Sequence, residues 1–182
     1  CSFEVILVDD CSIDNTPDLL QACSGITVLR NEKNLGFIGS CNHGADKARG
    51  KYLLFLNNDT KVTDHWLDNL VATFTEFPKA GIVGSRLVYP DGSLQESGGI
   101  IFKDASGWNY GRNRNADDPR YQFAREVDYV SGAALMIPAP LFSELKGFDN
   151  HYAPAYYEDT DLAFKCREAG YQVLVQPRST VI

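Results

Sequence analysis

Short clusters of acidic and amide side chains are the groups in this sequence whose types and spacing could do chemistry. They are Asp9 and Asp10, the run Asn57, Asn58 and Asp59, and Glu158 and Asp159 with Asp161. Carboxylates can hold a divalent cation, take a proton from a hydroxyl group, or accept hydrogen bonds from a nucleotide. Asp and Asn also favour turns and the first turns of helices, so each cluster alone has a purely structural explanation.

The apolar run at residues 52–56 decides where the second cluster lies. A short continuous apolar run is typical of a strand that is buried on both faces of a sheet. In open parallel sheets, ligands bind at the carboxyl ends of the strands, so Asp59 would stand at the mouth of a crevice. Asn57 would face the same way, because side chains alternate along a strand.

Strand-like and helix-like segments alternate through residues 1–80. Residues 3–8 and 26–29 are apolar and β-branched like strands, and the first of these runs leads directly into Asp9 and Asp10. Helical spacing of apolar residues follows each predicted strand, over residues 13–23, 37–50 and 63–74. This alternation predicts an α/β fold with a mostly parallel central sheet and helices on both faces. We expect a single domain over residues 1–182.

The later part of the chain alternates less regularly. We expect strands at residues 81–84 and 127–137, with a hairpin around the turn at residues 90–92. Residues 103–125 are polar and rich in Gly, Asn and Asp, and we expect a long functional or mobile loop there. A final helix should run from near Tyr157 to Gly170, with Glu158 and Asp159 at its start.

Composition and charge exclude some functions. The chain has 182 residues, of which 44% are hydrophobic, as is ordinary for a globular protein. Its formal net charge of −7 argues against nucleic acid as the main partner. An acidic protein that binds a diphosphate needs local cations or a divalent metal to offset the repulsion. The histidines show no spacing typical of metal ligands.

The five cysteines are scattered and include no Cys-x-x-Cys pair. This pattern predicts free thiols in a reducing compartment, hence a cytoplasmic protein, and no zinc site. No apolar stretch is long enough to span a bilayer, and nothing resembles a signal peptide. Because the chain begins at Cys1 directly before a strand-like run and lacks an initial Met, we expect it to be a fragment of a longer protein.

Taken together, the three clusters suit the transfer of a sugar from a nucleoside diphosphate. A metal held by Asp59 would neutralise the charge that develops on the leaving diphosphate. Asp159 would take the proton from the acceptor hydroxyl, while Asp9 and Asp10 would contact the base or ribose. The small residues at positions 132–134 would let the backbone approach a sugar, although tight packing also explains them.

Four longer stretches resemble the family 2 glycosyltransferases, which are inverting enzymes with the nucleotide-diphospho-sugar transferase (GT-A type) fold. They are VILVDDCSIDNT (Val5 to Thr16), RNEKNLGFIGSCNHGADKARGKYLLFLNNDT (Arg30 to Thr60), VDYVSGAALMI (Val127 to Ile137) and GFDNHYAPAYYEDTDLAFKCREAGYQVLVQP (Gly147 to Pro177). They follow the family's order and cover most of the chain, and their joint occurrence is highly specific. The run with Asn34, Gly36, Asn42 and Gly44, followed by LNNDT and YYEDTDL, is most similar to the rhamnosyltransferase-like branch.

The resemblance implies a role for each cluster. Asp59 matches the metal-binding member of the family's D-x-D motif, with Mg²⁺ or Mn²⁺ as the metal, and Asp159 matches the catalytic base. The implied donor contacts are Asp9, Asp10, Asn34, Gly36, Asn42, Asn57, Asn58, Gly132, Ala133 and Glu158. The donor would be a UDP- or dTDP-linked sugar bound by residues 1–80. The acceptor, a glycan or a lipid-linked hydroxyl, would bind with the base in residues 81–182.

The same resemblance suggests the setting of the reaction, which is polysaccharide or glycoconjugate synthesis. Relatives often act on lipid-linked acceptors, and such an acceptor would bring the protein into peripheral contact with the inner face of a membrane. No nucleic acid partner is implied.

This chain departs from the family pattern in three ways. Asn57 replaces the first acid of D-x-D, which removes one of the two expected carboxylates. The family's usual first strand is missing ahead of Cys1. The chain also stops at Ile182, short of where many relatives carry a His near the phosphates.

Three other functions fit some of the same residues. A signalling receiver domain also has paired acids after one strand and an Asp at a later strand end, but it does not need the cluster at Glu158. A sugar-phosphate nucleotidyltransferase would keep the fold, yet it needs a Gly-rich basic loop near the N-terminus, which is not visible here. A non-catalytic sugar-nucleotide binder would bind the donor without depending on Asp159.

Overall fold

The computed structural model describes residues 2–182, and in this range it contains ten β-strands, five α-helices and two short 3-10 turns. The strands are β1 (Ile6–Asp9), β2 (Thr27–Arg30), β3 (Tyr52–Leu56), β4 (Ala80–Val88), β5 (Leu94–Glu96), β6 (Gly99–Ile101), β7 (Gly107–Asn109), β8 (Arg125–Glu126), β9 (Ala134–Pro138) and β10 (Gln172–Val181). The helices are α1 (Thr16–Gln21), α2 (Gly36–Lys47), α3 (Trp66–Glu76), α4 (Ala139–Glu144) and α5 (Glu158–Glu168). Within residues 2–182, none of the helices has both the length and the apolar character needed to cross a bilayer.

The largest sheet has six strands in the order β3-β9-β4-β10-β8, with β5 paired to β4. Strands β3, β4 and β10 run in one direction, since β4 and β10 pair in parallel and β9 is antiparallel to both β3 and β4. Strands β5, β8 and β9 run in the opposite direction. The predicted α/β class is confirmed, but this sheet is mixed rather than mostly parallel. An apolar run buried on both faces looks the same in either direction, so the sequence of β9 does not reveal its orientation.

Helices cover both faces of this sheet, as the sequence predicts. One face forms the larger apolar core with α2, α4 and α5. The other face packs against α3, whose Leu70 is fully buried. The neighbouring residues Ile82 and Val83 of β4 belong to different cores, because successive side chains of a strand point to opposite faces.

Residues 103–125 are mostly exposed and irregular, as their composition predicts, but they contain two short elements and contribute to a small core. Strand β7 pairs with β6, and a 3-10 turn follows at Pro119–Tyr121. Tyr121 is 3% exposed and packs with Val88, Leu94 and Ala116 in a small separate core. This core is built from a few apolar residues that lie far apart in the sequence, so no local periodicity predicts it.

Strands β1 and β2 form a separate parallel pair, and α2 lies between this pair and the larger core. Asn42 of α2 fixes the position of the helix, because its Oδ1 accepts from the Phe148 N–H (3.0 Å) and its Nδ2 donates to the Phe148 carbonyl (2.8 Å). The Phe148 ring is buried and contacts Phe37 and Phe55. The resemblance predicts a contact between Asn42 and the donor; in the structure both polar atoms of its side chain are bonded to the Phe148 backbone, and the donor contact stays a prediction.

We expect Asn42→Ala to destabilise the fold. The substitution leaves the buried N–H and carbonyl of Phe148 without partners, which should lower the free energy of unfolding by roughly 1–3 kcal/mol. Urea denaturation followed by circular dichroism measures the change. Asn150→Ala is the matched control because Asn150 is exposed. Equal stability of the two variants would contradict the role of Asn42 as a clamp.

Candidate functional site

One edge of the central sheet gathers the carboxyl ends of β3 and β4 and the amino end of β9. Leu56 at the end of β3 pairs with Ala134 at the start of β9. Glu96 of β5 pairs with Leu87 near the end of β4. Side chains that follow or precede these strand ends are therefore brought to the same edge, where the sequence predicted a ligand crevice.

Residues 131–134, which we call the bridging segment, connect the elements at this edge. The Ala133 carbonyl accepts a hydrogen bond from the Asn57 N–H (3.0 Å), just beyond β3. The Gly132 N–H donates to Oδ2 of Asp159 (3.1 Å) at the start of α5. The second and third acidic clusters are thus attached to two adjacent residues, Gly132 and Ala133, of one backbone segment.

Asp159 is half-buried, and both oxygens of its carboxylate accept hydrogen bonds. Besides the bond from Gly132, its Oδ1 accepts from the Thr160 N–H (2.6 Å) and from the Thr160 hydroxyl (3.3 Å). Burial raises the pKa of Asp159 above its usual range, although the bonds from Gly132 and Thr160 act in the opposite direction. A carboxylate with a raised pKa holds a proton more readily, which suits a general base.

Glu158, the neighbouring acid, is 7% exposed. Burial raises its pKa, and its Oε2 has no hydrogen-bond partner among residues 2–182. Burial and, secondarily, the charge of Glu158 raise the pKa of the Cys41 thiol in α2 to about 12. Glu158 therefore lies in the packing between α5 and α2, and a contact between it and a donor stays a prediction.

Asp10 organises the start of α2. Its carboxylate accepts hydrogen bonds from the N–H groups of Leu35 (2.8 Å) and Gly36 (2.8 Å) and from Nδ2 of Asn31 (2.8 Å). Burial acts to raise the pKa of Asp10, but these bonds outweigh it and hold the pKa below the usual range. Gly36 has a φ of +69°, a conformation that glycine adopts without strain.

Asp9 makes internal contacts instead. Its side chain is buried, pairs with the Arg30 guanidinium and accepts a bond from the Ser12 N–H (3.0 Å). The hydrogen bonds from Ser12, together with the Arg30 charge, lower the pKa of Asp9. Of the two acids, the half-buried Asp10 is the better placed to reach a ligand.

A surface cavity of about 710 Å³ lies next to Asp10. It is lined by Arg30, Asn31, Glu32, Lys33, Leu35 and His43. Asn31 is 3% exposed and links the cavity to the acid, because it donates to Asp10 and its Oδ1 lies 2.6 Å from Nδ1 of His43. The volume is in the range of small-molecule sites, and the cations in its lining suit a phosphate group.

The start of α2 connects Asp10 to Asp159. Phe37 directly follows the two residues that Asp10 holds. A Cβ placed on Gly132 would lie 3.0 Å from Cζ of Phe37 and 3.9 Å from Cβ of Asp159, so glycine permits a close approach here. The first acidic cluster is therefore linked to the bridging segment by the packing of Phe37 against Gly132. The other two clusters are linked to it by hydrogen bonds.

Asp59 and Asn58 are exposed in the turn after β3, and Asn57 is half-buried. The Thr60 hydroxyl closes this turn by donating to the Asn57 carbonyl (2.7 Å). No group of three or more His, Cys, Asp or Glu side chains positioned for a metal occurs within residues 2–182. Asp59 fits a cation that takes most of its ligands from substrate phosphates and water, as Mg²⁺ commonly does.

The other predicted donor contacts have structural partners of their own. Asn34 is exposed, and its Oδ1 accepts from the Gly36 N–H (3.1 Å), which shapes the turn before α2. Gly132 and Ala133 lie in the bridging segment. Their contacts with a donor stay predictions.

Sequence reasoning missed Glu96, which lies at the same edge. It is 2% exposed, and its Oε1 accepts a bond from the Ser131 N–H (3.1 Å) of the bridging segment. Burial raises the pKa of Glu96 to about 7; the Ser131 bond acts against this shift, and the charge of Asp159 adds to it. A single acid in a predicted hairpin gives no signal of burial, because Glu is rarely buried without a partner.

Residues 1–140 match the family described as Glycosyl transferase family 2. The chain belongs to this family. The match confirms the resemblance seen in the sequence and rejects the receiver-domain and nucleotidyltransferase alternatives.

Relatives and solved structures agree with this assignment. The N-acetylglucosaminyl-diphospho-decaprenol L-rhamnosyltransferase of Mycobacterium tuberculosis is 24% identical over 204 residues, covering 98% of this chain and 65% of that protein. The structure of GalNAc-T7 with UDP, GalNAc and Mn²⁺ has a TM-score of 0.79 at 20% identity, covering 98% of this chain and 37% of that one. The mannosyltransferase PcManGT from Pyrobaculum calidifontis, in complex with GDP-Man and Mn²⁺, has a TM-score of 0.69 at 18% identity, covering 98% and 46%.

These likenesses confirm the predicted GT-A type fold. The chain spans less than two thirds of the length of each of these three proteins.

The raised pKa of Glu96 predicts how stability changes with pH. Between pH 4.5 and about 7, Glu96 ionises in the unfolded chain but stays protonated in the folded one. The contribution of Glu96 to stability is therefore fully present below this window and is lost as the pH rises through it. The Gln of the Glu96→Gln variant cannot ionise. The free energy of unfolding of this variant, relative to wild type, should therefore rise by about 3 kcal/mol between about pH 4 and about pH 8.

Chemical denaturation across this pH range measures the effect. Glu144→Gln is the control, because it makes the same substitution at an exposed position. If the difference in free energy of unfolding between Glu96→Gln and wild type is the same at every pH, the raised pKa of Glu96 is wrong.

Proposed function

We propose that this chain transfers a sugar from a nucleoside diphosphate donor to an acceptor hydroxyl, with inversion at the anomeric carbon, in polysaccharide or glycoconjugate synthesis. The observation that carries the proposal is the state of Asp159, a half-buried carboxylate with a raised pKa. It is attached to the same backbone segment as the strand end that leads to Asp59. Membership of the glycosyltransferase family supports the class of reaction.

In the proposed step the acceptor oxygen attacks the anomeric carbon on the face opposite the diphosphate. The hydroxyl proton passes to Asp159, and the new carbon–oxygen bond forms. The bond between the sugar carbon and the diphosphate oxygen breaks, and its electron pair leaves with the diphosphate. Attack from the opposite face inverts the configuration and requires no covalent bond to the protein.

The nucleotide of the donor is proposed to bind in the cavity beside Asp10. Asp10 is held as an anion by three donors, so it can accept a further bond from an N–H of the base or a ribose hydroxyl. Lys33 in the cavity lining offers a cation to a phosphate. The proposed donor is a UDP- or dTDP-linked sugar, and Asn57, Asn58 and the backbone of the bridging segment are proposed to face its sugar end.

A divalent metal, Mg²⁺ or Mn²⁺, is proposed to bind at Asp59. When bound, it would neutralise the charge that forms on the leaving diphosphate. A protein with a net charge of −7 needs such compensation near a diphosphate. The descriptions of both structural neighbours include Mn²⁺, which supports the same choice here.

The acceptor is proposed to be a glycan or a lipid-linked hydroxyl. The name of the M. tuberculosis relative contains a lipid-linked diphosphate sugar, which supports the second choice. A lipid-linked acceptor would place the protein in peripheral contact with the inner face of a membrane. The free thiols of Cys11, Cys23, Cys41 and Cys166 support a reducing, cytoplasmic setting.

Asp159→Asn should abolish transfer while it preserves donor binding. Loss of the general base should lower turnover by at least about 100-fold, because an amide cannot take the acceptor proton. Release of nucleoside diphosphate measures turnover, and calorimetry with the nucleotide sugar measures binding. Asp161→Asn is the matched control, since it removes a carboxylate of the same helix that is paired with Lys165 (2.6 Å).

The turnover and binding measurements together distinguish a different catalytic base from a non-catalytic binder. Full turnover in Asp159→Asn would show that another group is the base. Binding of the donor without turnover in the wild-type chain would instead favour the non-catalytic binder.

Asp59→Ala should weaken binding of UDP only when a divalent metal is present. We expect about a tenfold loss of affinity in Mg²⁺ and little change in EDTA, because Asp59 acts through the metal. Calorimetry with UDP measures both affinities. Asp64→Ala is the control, as Asp64 is exposed in the following turn. If wild-type protein binds UDP equally well with and without metal, the metal site is wrong.

A further inference from the structure

A second buried acid lies against the bridging segment, next to the proposed base. Glu96 is 2% exposed, and within residues 2–182 its carboxylate is bonded to the Ser131 N–H (3.1 Å). The next N–H along the chain, that of Gly132, is donated to Asp159 (3.1 Å). Consecutive peptide N–H groups therefore hold two carboxyl groups on one short stretch of backbone.

We propose that Glu96 is a positioning residue for Asp159, and that a negative charge on Glu96 strengthens Asp159 as a proton acceptor. This inference rests on the proposed function, in which Asp159 takes the proton of the acceptor hydroxyl. By fixing Ser131, Glu96 holds the neighbouring N–H that orients the Asp159 carboxylate. A charge on Glu96 would favour the protonated form of Asp159, because two like charges at short range repel.

A purely structural role does not require an ionisable group at this position. The amide oxygen of a Gln would accept the Ser131 N–H equally well, with no penalty for burying a charge. No salt bridge to Glu96 occurs within residues 2–182. Arg125, the cation next to β5, is directed elsewhere: it donates to the Ser97 carbonyl, and its guanidinium carbon lies 3.8 Å from the centroid of the Tyr110 ring.

The other ionisable groups around the pair are Tyr129 and Glu158. The Tyr129 hydroxyl donates to Oδ1 of Asn109 (3.0 Å). Burial and the charges of Glu96 and Asp159 raise the pKa of Tyr129, so it stays neutral throughout the working pH range. Glu158 lies beside Asp159 on α5, and burial and the Asp159 charge raise its pKa as well.

None of these neighbours supplies a positive charge, so Glu96 and Asp159 should titrate as a coupled pair. Burial raises the pKa of Glu96 to about 7, with the Asp159 charge adding to the shift. The change in charge that we assign to Glu96 would therefore fall near neutral pH, where it can alter the strength of the base.

Carboxyl ¹³C NMR of the full chain, titrated from about pH 4 to about pH 9, tests this inference without a substrate. Glu96 should titrate near pH 7 in wild type, and Asp159→Asn should lower its midpoint because the neighbouring charge is removed. Asp161→Asn removes a carboxylate that is paired with Lys165, and it should leave the Glu96 midpoint unchanged. An unchanged Glu96 midpoint in Asp159→Asn would overturn the proposal.

Glu96→Gln provides a second test, which distinguishes an effect of the Glu96 charge from a purely structural role. The wild-type Asp159 signal should show an inflection at the Glu96 midpoint, and that inflection should vanish in Glu96→Gln. The pH profile of kcat/KM should also change slope near pH 7 in wild type but not in Glu96→Gln. An identical profile and an identical Asp159 titration in both proteins would overturn the proposal.

The failure of this inference can be told apart from failure of the proposed function. The NMR titrations do not depend on turnover, so full activity in Asp159→Asn would reject the base and leave the measured coupling intact. Loss of activity in Asp159→Asn, with uncoupled titrations, would reject only the role of Glu96.

Discussion

The geometry of the site depends on how the peptide groups of residues 131–134 are satisfied. Buried backbone N–H and carbonyl groups must find partners, and in this segment the partners come from three different elements. Glu96 of β5 accepts from Ser131, Asp159 of α5 accepts from Gly132, and the chain beyond β3 donates to Ala133. These backbone hydrogen bonds thus attach the proposed base and the strand end that leads to the proposed metal ligand to one short segment. The start of α2, beside the proposed nucleotide site, packs against Gly132 of the same segment.

The carboxylates of the proposed site lie in environments that shift their pKa values in opposite directions. Asp10 receives three hydrogen bonds that hold its pKa low, so it remains a fixed anion. Asp159 also receives hydrogen bonds, yet burial prevails and raises its pKa. Environments that push the pKa values of acids apart are how a single site obtains both a constant charge and a group that exchanges protons. This division of roles matches a reaction that binds a nucleotide and removes a proton from a hydroxyl.

The sequence reveals the parts of the fold that depend on local patterns. The apolar run of β3 ending at Asn57, and the helix that begins at Glu158, both follow from period, composition and turn residues. The direction of β9 could not be predicted, because a strand buried on both faces carries no mark of its orientation. The backbone contact of Asn42 and the burial of Glu96 could not be predicted, because their partners, Phe148 and Ser131, are distant in sequence. Such pairings are decided by the packed structure rather than by neighbouring residues.

Mapping the nucleotide site on the folded chain tests the central claim most directly. Backbone amide NMR shifts of the full chain would be recorded during titration with UDP and Mg²⁺. Our account predicts that the perturbed amides cluster at Asn31, Gly36, Asp59 and Gly132, around the cavity beside Asp10 and the carboxyl end of β3. Perturbations confined to the opposite edge, where β4 and β10 begin near Lys79 and Tyr171, would contradict it.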